Sequence, residues 1–236
     1  MKSKNLSIIL PTFNESGNII KLINSILIIC KKNNISTEII MVDDDSQDLT
    51  GIKTINKFKN NHSVKVFIRK KNKGLASAIL YGINHSRGKY ILVMDTDFNH
   101  NPKEIPIMFM LSKKFDLVIG SRYIKNGGME NRIRQWFSYY FNLYIRVLLN
   151  HDISDNLSGF FITKRSILKK LELYKIFFGF GDYFIRLIYI IYRKKYSITE
   201  TPVFYKNRTY GISKSKFFNM FVTYTKTVIN LRFSKI

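Results

Sequence analysis

The chain is poor in cysteine, proline and acid. It has one cysteine, Cys30, among 236 residues, so no disulfide can form within it, and its place in the apolar run SILIIC reads as a small buried hydrophobe. Four prolines and twelve glycines exclude a collagen-like or low-complexity chain, and no long polar tract reads as disordered. The four histidines, His62, His85, His100 and His151, lack the spacing of a zinc site. Neither G-x-x-x-x-G-K-[ST] nor a G-x-G-x-x-G following a strand occurs, so phosphates are not held by a glycine-rich cradle. No stretch of about 18 apolar residues runs without charge. The best candidates, 176–192 and 217–231, are interrupted by Asp182 and Arg186 and by Lys226, so no membrane span is expected. The amino terminus, MKSKNLSIILPTFNE, has too few apolar residues before Pro11 for a signal peptide, and a cytoplasmic location is expected.

Acidic residues number 16 against 39 basic ones, a formal net charge of +23. Such an excess suits nucleic acid or an anionic membrane. It is also what AT-biased coding produces, since Lys outnumbers Arg by more than two to one and Asn and Ile are abundant throughout. The places that distinguish these readings are those where arginine and aromatic residues coincide.

What is present is a hydrophobic fraction of 45% and an aromatic fraction of 14%, enough for a substantial core in one large domain or one and a half. Five runs, LSIILP (6–11), EIIMVDD (38–44), VKVFI (64–68), KYILVMD (89–95) and DLVIGS (116–121), are apolar without alternation, the pattern of strands covered on both faces. Between them Ile19, Leu22, Ile23, Ile26 and Leu27, and then Leu75, Ala78, Ile79 and Gly82, fall at helical spacing. Strand and helix in alternation predict an α/β fold with a mostly parallel sheet flanked by helices. A last strand is expected over ITETPVFY (198–205).

Ligands in such sheets bind beyond the carboxyl ends of the strands. Polar clusters stand there: PTFNE after the first strand, DDDSQD after the second, DTDFNH after the fourth and SRY after the fifth. Asp95 and Asp97, at i and i+2, can converge on one cation as the chain leaves the sheet, or they can serve as an ordinary turn with an Asx cap. Taken with Asp43 and Asp44 they gather up to four negative charges at one edge, which calls for a counter-cation or hydrogen-bond donors. Carboxylates without histidine or thiolate select Mg²⁺ or Mn²⁺, which completes its shell with water and substrate phosphates. A nucleoside diphosphate follows as ligand. Such acidic strand ends would repel a nucleic-acid backbone unless a metal intervened, so a basic nucleic-acid-binding module is a remote alternative and no nucleic-acid partner is expected.

Beyond residue 122 the pattern changes. NRIRQWFSYYFNLYIRVLLNH (131–151) mixes Arg132, Arg134 and Arg146 with Trp136, Tyr139, Tyr140 and Tyr144. It is a helix that either lies along a membrane surface or packs as an amphipathic core helix. In KNRTYGISKSKF, Arg208, Lys214 and Lys216 surround a glycine, a loop suited to folding over an anion.

Seven motifs in chain order resemble the family 2 glycosyltransferases of GT-A fold, and among them the dolichyl- or polyprenyl-phosphate mannose synthases. PTFNE (11–15) resembles P-x-Y-N-E, VDDDSQDLT (42–50) resembles V-D-D-x-S-x-D-x-T, and NKGLASAILYG (72–82) resembles N-x-G-x-x-x-A-x-x-x-G. DTDFNHNP (95–102) resembles D-A-D-x-Q-H-x-P, and GSRY followed by GG (120–128) matches as it stands. SDNLSGF (154–160) resembles S-D-x-T-S-G-F, and TPVFYKNRTYGISK (201–214) resembles V-P-I-x-F-x-x-R-x-x-G-x-S-K. The family's Gln-x-Glu region is not recognisable in FGFGDYFIRL (178–187).

The resemblance implies a GT-A nucleotide-diphospho-sugar transferase fold. Pro11, Phe13, Glu15 and Asp43 or Asp44 would hold the base and ribose of the donor, with Asp95, Thr96 and Asp97 beside the diphosphate. Asp95, Asp97 and Asn99, which replaces the family's Gln, would bind Mg²⁺ or Mn²⁺. Arg122 and Arg134 would face the acceptor phosphate, and Arg208 and Lys214 would close over the phosphates. The implied reaction is inverting transfer of a sugar to a polyprenyl or dolichyl monophosphate. GDP-mannose is the expected donor, and a UDP-sugar such as UDP-glucose, with the same lipid or a surface polysaccharide as acceptor, is the alternative. Residues 1–121 would form the nucleotide-sugar-binding half and 122–215 the acceptor half of one catalytic domain, followed by a C-terminal amphipathic helix over 216–236. The chain ends at Ile236 without a transmembrane segment, like the family's short form, which would sit peripherally on the cytoplasmic face of a membrane through its own interfacial helices or a small membrane-anchoring subunit.

Overall fold

A computed structural model describes residues 5–206 and 217–234. The first half runs β1 (Leu6–Thr12), α1 (Ile19–Lys32), β2 (Thr37–Asp43), α2 (Thr50–Phe58), β3 (Val64–Ile68), α3 (Leu75–His85), β4 (Tyr90–Val93), α4 (Ile105–Leu111) and β5 (Leu117–Ser121). The second continues with β6 (Gly128–Met129), α5 (Arg132–Leu149), β7 (Phe161–Lys164), the short helices α6 (Arg165–Leu168) and α7 (Leu173–Ile176), then α8 (Tyr183–Arg193), β8 (Ile198–Pro202), β9 (Phe204–Tyr205) and α9 (Phe217–Phe233).

Seven strands form the central sheet in the order β3-β2-β1-β4-β7-β5-β8, all parallel except β7, which runs antiparallel to both β4 and β5. The continuous apolar runs are explained by helices on both faces. Leu6, Ile8 and Leu10 of β1 meet the stripe Ile19, Leu22, Ile23 and Ile26 of α1 on one side. Ile9, pointing the other way, packs with Ile79 of α3 and Leu187 of α8. Cys30 lies buried on the first side, and burial pushes its thiol up to about 11, so it is inert as the composition suggested.

Strand β7 and the antiparallel step it introduces were not anticipated: SGFFITK carries only four strand residues between loop and helix. The expected strand over 198–205 is broken. Pro202 has no N–H to continue a ladder, and after Val203 the chain crosses into a second, two-stranded sheet in which β9 pairs with β6, Met129 opposite Tyr205.

Helix α5 starts where the Asn131 side chain accepts from the backbone N–H of Arg134 at 2.9 Å and stops at Asn150, whose φ is 53°. It packs with α8 and α9 around Ile145, Leu149, Ile185, Tyr189, Tyr224 and Val228, each buried aliphatic contributing about 1.5–3 kcal/mol. No helix among the described residues is long and apolar enough to cross a membrane.

Candidate active site

The chain visits β1, β2 and β3 toward one edge and returns to β4 on the other side of β1. That reversal opens a crevice beyond the carboxyl ends of β1 and β4, and a cavity of about 570 Å³ lies there. Pro11, Phe13 and Glu15 line it from the end of β1, Asp44 from β2, and Asp95, Thr96, Asp97 and Asn99 from the turn after β4. Arg122 and Arg134 line it from the far side. Arg208 and Lys214 lie outside the described residues.

Asp43 does not line the cavity. It is buried behind it, where it accepts from the Ser46 hydroxyl and, at 3.1 Å, from the Ser46 N–H, and a Cβ on Gly51 would collide with it. Burial pushes its pKa up against those two bonds. Of the two candidates for the donor's ribose and base, Asp44 alone faces the site. Arg69 ion-pairs with Asp44, its Nε donating at 2.8 Å, and the Gly74 N–H donates to the other oxygen at 2.7 Å. The acidity of this edge is therefore partly neutralised by the chain itself. Arg69, and Lys73 on the cavity wall, were missed in the sequence although Lys73 is the middle residue of the NKG motif and Arg69 stands three residues before it.

The turn Asp95–Asn99 is tightly specified. Asp97 is 2% exposed and accepts from Asn99 twice, from its backbone N–H at 3.1 Å and its amide at 2.8 Å. Asn99 thus braces Asp97 and leaves its own Oδ1 as the atom able to meet a cation. Phe98 takes φ 65°, a left-handed conformation costing about 1–2 kcal/mol, and its ring packs on the core. The Asp95 side chain is 45% exposed. His100, fully buried, accepts the Asp95 N–H on Nδ1 at 2.8 Å. Burial lowers its pKa to about 4, so its 3.6 Å approach to Asp95 is not an ion pair at neutral pH. The proton sits on Nε2, 2.7 Å from Tyr205 Oη.

Arg122 is held from behind. Asp155, fully buried, accepts from its Nε and Nη2 at 2.7 Å each and from its N–H at 3.0 Å. The guanidinium also lies over the rings of Tyr205 and Tyr123, at 4.9 and 5.2 Å from their centroids. Although burial opposes it, the Asp155 charge keeps Arg122 protonated. Asp155 lies in SDNLSGF, but its partner is 33 residues away.

A second cavity, an apolar groove of about 790 Å³ between α5 and α9, adjoins the first. Phe137, Tyr140, Phe141, Tyr144 and Phe221 line it. Arg122, Arg134, Leu157, Met220 and Tyr224 line both cavities and mark their junction.

A mostly parallel α/β sheet flanked by helices, with a D-x-D turn beyond its switch point, is the architecture of the GT-A fold. The model of glycosyl transferase family 2 matches residues 7–172, and the chain belongs to that family. It is 36% identical over 217 residues to a dolichol-phosphate mannosyltransferase of Pyrococcus furiosus, covering 89% of this chain and 59% of that one. The chain thus spans about three fifths of that relative's length. It is 30% identical to a polyprenol monophosphomannose synthase of Mycolicibacterium smegmatis, covering 88% of this chain and 79% of the relative. Among solved structures it is similar to glucosyl-3-phosphoglycerate synthase of Mycobacterium tuberculosis in complex with Mn²⁺, UDP and phosphoglyceric acid, with TM-score 0.75 and 18% identity over 99% of this chain and 80% of that one. At that identity the likeness shows the fold.

Proposed function

We propose that the protein transfers a sugar, mannose from GDP-mannose, with inversion, to a polyprenyl monophosphate at a membrane surface. The observation that carries this reading is the meeting of the two cavities at Arg122 and Arg134. A chamber with the carboxylates of Glu15, Asp44, Asp95 and Asp97 on its wall opens onto an apolar, aromatic groove with arginines at the joint, which suits a phosphate carrying a long hydrocarbon tail. The mannosyltransferase relatives support the acceptor and the sugar.

The donor set fits a hard divalent cation. No group of three or more His, Cys, Asp and Glu side chains suited to a metal occurs among the described residues. The oxygens of Asp95, Asp97 and Asn99 match Mg²⁺ or Mn²⁺, which is held by one or two carboxylates together with substrate phosphates. Bound there, the ion would screen the charge of the departing nucleoside diphosphate. Asp44 and Glu15 orient the nucleoside end of the donor, and Arg122 and Arg134 hold the acceptor phosphate in line. That phosphate, with a second pKa near 6, is already mostly ionised at neutral pH, so positioning replaces a general base. Attack opposite the leaving group inverts the anomeric carbon.

Helix α5 would make the membrane contact. Ile133, Trp136 and Phe137 are 73%, 61% and 64% exposed, with Arg132 exposed beside them. Aromatic and aliphatic groups flanked by arginine suit the interfacial layer of an anionic bilayer.

The test is transfer of labelled sugar from GDP-mannose, and in parallel UDP-glucose, to a short polyprenyl phosphate with Mg²⁺ or Mn²⁺. Label entering the lipid from GDP-mannose, lost at least about a hundredfold in Asp97→Ala, is expected. Transfer from UDP-glucose alone would replace the donor, and no lipid labelling from either would overturn the acceptor.

A further inference from the structure

We propose that the Tyr205 hydroxyl is a positioning group for the Asp95–Asn99 turn, acting through His100. It stands in a chain of hydrogen bonds whose direction is fixed at both ends by the backbone. The Asp95 N–H can only donate, so His100 Nδ1 accepts it, at 2.8 Å. His100 Nε2 therefore bears the proton and donates to Tyr205 Oη at 2.7 Å. Tyr205 in turn donates toward Ser158, 3.0 Å from its carbonyl and 2.9 Å from its Oγ. The Ser158 hydroxyl donates to the Gly120 carbonyl, which can only accept. The bonds from Asp95 to Tyr205 take their direction from the Asp95 N–H, and the Ser158 bond takes its direction from the Gly120 carbonyl.

The chain ties together the D-T-D turn, β9, the loop before β7 and the end of β5. The same Tyr205 ring lies under the Arg122 guanidinium, 4.9 Å from its centroid to Cζ. One side chain thus braces the turn on the donor side through its hydroxyl and the arginine on the acceptor side through its ring. His100 is locked further by stacking on Phe160, centroids 4.7 Å apart and planes 9° from parallel. The motif that this segment resembles has Phe where Tyr205 stands, so the hydroxyl and its link to His100 belong to this chain's own version of the site. Without the hydroxyl, the buried His100 Nε2–H loses its 2.7 Å acceptor and is left with the Ser158 backbone and the more distant Asp95 carboxylate at 3.6 Å. The imidazole then has reason to change tautomer or rotate, and the Asp95 N–H loses its anchor.

The functional half of this proposal rests on the reading that Asp95 and Asp97 hold the donor diphosphate through a cation. Its test is Tyr205→Phe, which keeps the ring under Arg122. With only four histidines in the chain, the nitrogen chemical shifts of His100 can be assigned in ¹⁵N-labelled protein. The native protein is expected to show His100 as a single Nε2–H tautomer at pH 7, and a native Nδ1–H tautomer or imidazolium would overturn the proposal without any variant. In Tyr205→Phe we expect a mixture of tautomers and about a tenfold loss of GDP and UDP affinity measured with Mn²⁺, with metal-free nucleotide affinity within twofold of native. An unchanged single tautomer with Mn²⁺-dependent affinity within twofold of native would overturn it, as would an equal loss with and without Mn²⁺. Failure of the donor reading shows separately, as native protein whose nucleotide affinity does not respond to Mn²⁺, and it removes the functional half with it.

Discussion

Replacing Asp155 by Asn tests whether Arg122 is held where it is by a buried charge. The carboxylate accepts three bonds from Arg122 and one from the Leu157 N–H at 3.2 Å. Asp155 is 0% and Arg122 5% exposed. Neither charge has bulk water to fall back on, so removing one leaves the other buried and unpaired, a change that costs about 3–5 kcal/mol. For a chain of this size each kcal/mol shifts the melting temperature by about 2–4 °C, so Asp155→Asn should melt on the order of 10 °C lower. The guanidinium should also swing toward solvent or the cavity, so sugar transfer should fall more steeply than the folded fraction at the assay temperature. Calorimetry and initial rates on the same preparation give both numbers. A variant melting within 1–2 °C of native and transferring at the native rate would refute the reasoning and assign Arg122's position to its stacking on Tyr205 and Tyr123 alone.

Three further outcomes follow from particular contacts. A Cβ on Gly181 would collide with Tyr224 Oη, so Gly181→Ala should loosen α9 and lower stability by about 1–3 kcal/mol in urea; a neutral change would show that α9 yields freely. His151, whose pKa burial lowers to about 4, is neutral in the native state while the unfolded chain binds its proton below about 6.5. Stability should therefore fall as pH drops from 6.5 toward 4, His100 adding in the same direction, with each histidine contributing up to about 1.4 kcal/mol per pH unit. His151→Gln should flatten that slope in urea titrations at pH 7 and 4.5, and an unchanged slope would contradict the assignment. Trp136→Ser with Phe137→Ser should reduce sedimentation with anionic vesicles several-fold while leaving the melting temperature near native; equal binding by the double variant would take the membrane role from α5.

The strands and the placement of the site at their ends were legible because both signals are local. A strand covered on two faces must be apolar throughout, and its polar residues are displaced to its end, as PTFNE and DTDFNH show. What stayed hidden depends on partners distant in sequence. Strand β7 is four residues long, too short to show a period, and takes its place only because β4 and β5 leave a gap between them. The break at Val203 could be read only from Pro202. Asp43 and Asp44 look equivalent in DDDS, yet opposite pointing sends one to Ser46 and Gly51 and the other to Arg69 and the cavity. Tyr205 joins His100 across 105 residues, and nothing local to either announces the other. The groove between α5 and α9 needed both helices in place, although the arginines and aromatics that line it were already conspicuous in 131–151.

In the proposed function a lipid phosphate sits where the carboxylate-bearing cavity and the apolar groove meet. The most direct measurement is the initial rate of transfer against acceptor tail length, from a soluble phosphate through short to long polyprenyl phosphates, for native protein and Arg134→Ala. Catalytic efficiency should rise with tail length as the groove fills, and Arg134→Ala should lose at least about tenfold at every length. Equal efficiency on a soluble phosphate and on a long polyprenyl phosphate would contradict it.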